Sequence, residues 1–170
     1  MSDPSDPQLY LKYLSERVTV DEFTEAYISE ALVTFNSDCH KSSAVMIGLA
    51  TECLILRLRD VLDRYLSAIN ATAPTGLNDW KMKHVREAMS AYLEAQKVHM
   101  PRALQKSFTS AWSKYLSLLQ GVRHDAVRPN RMDEVTRERI RNSLKVFVEF
   151  ARLVSAIESW IEDRVRAVKG

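Results

Sequence analysis

Residues 42–58 read SSAVMIGLATECLILRL, and the fold turns on this stretch. Val45, Leu49 and Leu56 recur at helical spacing, and further apolar positions cover much of the circumference, a pattern no half-buried strand would show. A helix apolar on most of its sides must be enclosed by others, so it is the expected centre of a bundle. Asp38 is its expected N-cap, and the helix should extend to about Asn70. The second half turns amphipathic, with Arg59 and Asp63, and Asp60 and Arg64, at the i,i+4 spacing of surface pairs. The densest apolar run, Ala44 to Leu58, is interrupted by Glu52 and Arg57, which argues against a membrane span. No early segment joins a basic start to an apolar run, so the chain reads as soluble and cytosolic.

Working outward, DEFTEAYISEALVTFN (21–36) puts acids in its first turn and apolar residues at Phe23, Ala26, Tyr27, Leu32 and Phe35, which predicts a helix ending near Asn36. The opening MSDPSDP (1–7) carries two prolines and no apolar pattern, and residues 1–18 are expected as a loose tail with a short helical turn around Leu9 to Leu14. On the other side, ATAPTGLND (71–79) is the clearest loop in the chain. A weakly patterned helix follows from about Asp79 to Val98, and Pro101 fits the first position of the next. There Leu104, Phe108, Trp112, Tyr115 and Leu119 form one stripe, and Gly121 is the expected helix end. Asp133 or Thr136 should cap a last helix whose Ile140, Leu144, Phe147, Ala151, Val154, Ile161 and Val165 repeat with a period near 3.5, a stripe long enough to serve dimerisation. Trp80, Trp112 and Trp160 occupy helical positions, where core packing is the expected role rather than base stacking. With no strand pattern, no internal repeat, and only 4 Gly and 5 Pro among 170 residues, the reading is a single all-α domain over 19–170, a bundle of four to five main helices, two of them long.

Cys39 and Cys53 fall in one predicted helix, roughly 21 Å apart at 1.5 Å per residue, beyond disulfide reach. His40, His84 and His99 lack the short repeated spacings of zinc sites, and neither a metal nor a cofactor is expected.

Charge singles out one joint, GVRHDAVRPN (121–130). Residues 97–131 hold seven basic side chains, Lys97, Arg102, Lys106, Lys114, Arg123, Arg128 and Arg131, against the single acid Asp125, in a chain whose net charge is only +2. Guanidinium forks suit phosphate, although cations near a helix C-terminus also complement its dipole. Glu52, in the apolar ATECLIL, has no basic residue three or four places away, and Arg123 is its candidate partner. Such a pair would orient the guanidinium for an anion or act as a structural bridge; otherwise Glu52 is an exposed carboxylate.

The joint carries a resemblance. An apolar helix SSAVMIGLATECLILRL, a polar interruption, an aromatic-striped helix, then R-H-D-A-V-R-P and a capped helix with FVEFARLV resemble the prokaryotic HEPN superfamily over about residues 21–168. Members are small helical bundles, often dimers, whose signature is Arg, a polar residue, a few others, then His. Arg123 matches the signature Arg and His124 its polar neighbour, with Asp125, Ala126 and Pro129 in the usual surroundings; Arg128 stands where the signature has His. In HEPN ribonucleases the Arg steadies the phosphate and the His handles protons as the 2′-hydroxyl attacks, without metal. The resemblance thus implies Arg123, His124 and Arg128 as catalytic candidates. Arg123, Arg128, Arg131 and Lys114 are the candidates for binding RNA or another phosphate-bearing ligand, and Glu52 and Asp125 for orienting the site. Arginine stays protonated and cannot act as a general base, so proton transfer would pass to His124.

Three functions are consistent with these residues. The first is a HEPN-like RNA-targeting endoribonuclease in a toxin–antitoxin or phage-defence setting, as a homodimer or with an antitoxin or other protein partner, which only the resemblance implies. The second is a non-catalytic HEPN-like module binding RNA, a nucleotide or a protein. The third is a scaffold dimerising through its last helix.

Overall fold

The computed structural model describes residues 3–130 and 134–170; the binding candidate Arg131 and the cap candidate Asp133 lie outside the described residues. Among those described there is no strand, and the order is α1 (Pro7–Ser15), α2 (Glu22–Asn36), α3 (His40–Ala68), α4 (Met82–Gln96), a 3₁₀ turn (Lys97–His99), α5 (Arg102–Ala126) and α6 (Arg137–Lys169). None of these helices is long and apolar enough to cross a membrane. The chain divides into two compact units, residues 1–54 with 114–152 and residues 55–113 with 153–170.

In the first unit, α2 begins where Asp21 accepts the Phe23 and Thr24 N–H groups at 3.0 and 2.9 Å and the Thr24 hydroxyl at 2.7 Å. It ends at Asn36 and is closed by Asp38, which does not cap α3 as its sequence position suggests. Asp38 takes the left-handed conformation at φ 57°; its N–H reaches the Phe35 carbonyl at 3.2 Å, and the Cys39 N–H reaches Thr34 at 2.8 Å. This is the double closure that satisfies the last carbonyls of a helix, and Asp tolerates it better than most residues. The same closure ends α3, with Asn70 at φ 52° and the Ala71 N–H on the Leu66 carbonyl at 2.9 Å. The N-terminal segment is no loose tail. Tyr10, Leu14 and Val18 are buried, and the Tyr10 hydroxyl donates to the Leu144 carbonyl of α6 at 2.6 Å. Burial pushes the Tyr10 phenol far above its ordinary pKa, so it remains a donor. Ile47, Leu54, Phe147, Val148 and Phe150 are among the other buried residues of this unit.

The second unit is closed by Leu58, Leu62, Val85, Met89, Leu93, Phe108, Trp112, Ile157 and Ile161, all buried. The Trp112 indole N–H donates to the Ser90 hydroxyl at 3.0 Å, joining α4 to α5. Arg57 grips Glu158 with two bonds of 2.7 and 2.9 Å, joining α3 to α6. The expected i,i+4 pairs are replaced by other partners. Arg59 turns to its neighbour Asp60, Asp63 accepts from Asn78, and Arg64 reaches Glu162 at 3.7 Å. Trp80 also departs from expectation: it is 85% exposed in the loop before α4, whereas Trp112 and Trp160 are buried. The helix there starts at Met82 rather than Asp79, because the Asp79 side chain bonds the Lys81 N–H and His84 and so closes the loop instead.

Candidate functional site

The joint belongs to the first unit, and most of it is helix. Gly121 does not end α5, which continues to Ala126 and leaves only Val127–Asn130 as the turn. Glycine in a helix interior costs about 1 kcal/mol against alanine. Leu119, Val122 and Ala126 keep the buried stripe running across it, and that burial outweighs the cost.

Arg123 is the best-anchored member. Its guanidinium is paired with Glu52 of α3, and the side chains are 28% and 15% exposed, so the pair is largely shielded from water. Its stem lies across Gly48, one helical turn before Glu52. A Cβ at Gly48 would stand only 2.8 Å from both the Cβ and Cγ of Arg123. The pair therefore needs a glycine four residues before the carboxylate, on the same helix face. Gly48 is a residue that the motif-based reading missed, although a glycine inside an apolar helix was its available signal.

The other candidates divide. His124 is exposed and, as the next residue on a helix, leaves the axis about 100° away from Arg123. Arg128 is exposed beyond the end of α5; its N–H reaches the Asp125 carbonyl at 3.3 Å, and its own carbonyl accepts from the Lys41 ammonium at 3.5 Å. Lys41, in the first turn of α3, thus joins the cations of the joint without having been predicted. Lys114 is exposed nine residues before Arg123, about 14 Å along α5, and stands apart from them. The Asp125 carboxylate receives the Arg139 guanidinium at 2.7 Å, and Arg139 also donates to the Glu134 carbonyl at 2.9 Å. Asp125 thus ties the end of α5 to the start of α6. Thr136 caps α6, its hydroxyl accepting the Arg139 N–H at 3.2 Å. Nearby, Arg137 pairs with Asp38 and lies over the Phe35 ring at 4.5 Å.

Close to Glu52, burial pushes the Cys53 thiol up, with Asp21 and Glu52 adding to the shift, so it is a poor nucleophile at neutral pH. Among the described residues no group of three or more His, Cys, Asp or Glu is placed to hold a metal ion. The arrangement offers one shielded, pre-oriented guanidinium, an exposed guanidinium and ammonium, and one imidazole. These can bind a phosphate, and the imidazole is the one group among them whose side chain can both accept and donate a proton. Comparison with family models, with curated proteins and with solved structures found no match to this chain.

Proposed function

We propose that this protein is a HEPN-like RNA-targeting protein of the toxin–antitoxin or phage-defence type, whose joint engages RNA phosphate through Arg123 and Arg128. The observation that carries this reading is that Arg123 is built into the helices by Gly48 and Glu52 while His124 and Arg128, in the same joint, stand exposed. A guanidinium held by a carboxylate keeps further N–H donors directed at one place, which favours a bound anion over a flexible cation. If the joint also cleaves, His124 is the group that moves the proton and Arg123 and Arg128 stabilise charge on the phosphate.

A specific observation favours the non-catalytic alternative, in which the joint only binds. Arg128, at the signature His position, offers hydrogen-bond donors and no acceptor, and the carboxylate beside Arg123 already satisfies part of the Arg123 charge. The dimerising scaffold finds less support, because Phe147 and Ile161 of its stripe are buried within the chain.

Incubation of the purified chain with labelled total RNA in EDTA tests the proposal. Cleavage lost in Arg123→Ala and His124→Ala assigns a metal-independent ribonuclease. No cleavage by the natural chain, with salt-sensitive RNA binding weakened by Arg123→Ala and Arg128→Ala, assigns the binding module. Neither cleavage nor binding overturns both.

A further inference from the structure

The loop over residues 71–81 holds the only exposed tryptophan of the three, and the loop is rigidly built. Leu77 is fully buried and anchors it, with the Leu77 N–H on the Pro74 carbonyl at 3.1 Å. Gly76 has φ +89°, and a Cβ there would stand 3.3 Å from the His84 carbonyl, so only glycine lets the loop lie on the first turn of α4. The Asp79 carboxylate accepts the Lys81 N–H at 3.0 Å and His84 Nδ1–H at 2.7 Å, while Asn78 donates to Asp63 at 3.2 Å. Trp80 thus sits between two residues whose backbone is fixed, and its ring is still 85% exposed.

Leaving a large aromatic in water forgoes the 1.5–3 kcal/mol or so that burial of such a side chain supplies. A protein-binding hot spot would need an apolar surround, but of the chain neighbours Asn78, Asp79, Lys81, Met82 and Lys83 only Met82 is apolar, and it is half-buried. The Lys81 ammonium stands 5.2 Å from the ring centroid, and Lys83 is exposed, its contact with Glu87 a loose 3.9 Å. A largely exposed ring, with one ammonium over it and a second lysine three residues on in the chain, matches an unpaired base and its phosphates.

We infer that Trp80 is a stacking platform for a base of single-stranded RNA, with Lys81 and Lys83 taking the adjacent phosphates. This rests on the RNA-targeting reading above but concerns residues of the second unit. Because Trp112 and Trp160 are buried, tryptophan emission accessible to a quencher reports on Trp80. The full chain is titrated with single-stranded oligoadenylate RNA, following emission, and with a fluorescein-labelled copy, following anisotropy. Quenching by RNA is expected, with binding about 10-fold weaker in Trp80→Ala and largely kept in Trp80→Phe. Unchanged affinity in Trp80→Ala overturns the platform, and if Arg128→Ala still weakens binding, the reading of the joint survives. Binding that depends on Trp80 but ignores Arg123→Ala and Arg128→Ala supports the platform and removes the joint. A blue shift of emission with protein concentration alone, without RNA quenching, overturns it by assigning the ring to contact between copies. No RNA binding overturns both proposals.

Discussion

A single glycine decides whether the arginine of the joint can reach its carboxylate. Gly48→Ala puts a methyl group into the Arg123 stem, and we expect a loss of about 1–3 kcal/mol by overpacking, measured by urea unfolding. Glu52→Gln should be destabilising by about 1–2 kcal/mol, less than for a fully buried pair because Arg123 is partly exposed. A double-mutant cycle with Arg123→Met checks it; coupling indistinguishable from zero would mean the pair contributes nothing. Cys53 offers a chemical test at the same place. Its raised thiol pKa should make iodoacetamide label it much more slowly than the exposed Cys39 at neutral pH, read by peptide mass. From sequence Arg123 was only the candidate partner of Glu52, because a carboxylate in an apolar helix needs one only if it is buried; the structure pairs them. Gly48 was legible only as a glycine inside an apolar helix; that Arg123 is what approaches it is decided by the packing of two distant helices.

Helices were legible as elements, and their ends were read less well. Gly121 and Asp38 show why: glycine is a stop signal only if the apolar stripe also stops, and aspartate is a cap only in extended backbone. Since Gly121 lies within α5 and a Cβ there would meet nothing closer than Arg139 Nη2 at 4.0 Å, Gly121→Ala should stabilise the protein by about 0.5–1 kcal/mol, raising its melting temperature. The loop before α4 carries a pH dependence. The His84 hydrogen bond, then the Lys81 N–H, hold the Asp79 carboxyl below its usual range. A depressed folded pKa means the stabilisation is present above the unfolded aspartate value, near 3.9, and is lost as pH falls through the folded one. Asp79→Asn should therefore speed amide exchange in this loop at neutral pH, with the difference from the natural chain shrinking in acid.

Across the whole molecule, the last helix separates two readings of one pattern. Its heptad-like stripe was legible, but whether it faces a second copy or this chain's own core was not, because period alone does not say what covers it. Phe147 and Ile161 are buried in the folded chain, so Phe147→Ala should lower stability by about 3–5 kcal/mol in thermal unfolding; a folded variant changed only in oligomeric state would contradict this. Trp80 makes the same point in reverse, since its helical spacing suggested core and the loop places it in solvent. The sequence by itself determined the all-α class, the main helical segments after residue 21, the loop over 71–79 and the concentration of cations near the joint, because periodicity, turn residues and charge are local properties; it expected four to five main helices, and α1 makes a sixth. Only the tertiary structure decided that Gly48 yields to Arg123, that Asp125 answers Arg139, that Tyr10 docks on Leu144 and that Trp80 is left outside. Those outcomes depend on which faces of distant segments meet, and that is set by packing the whole chain at once.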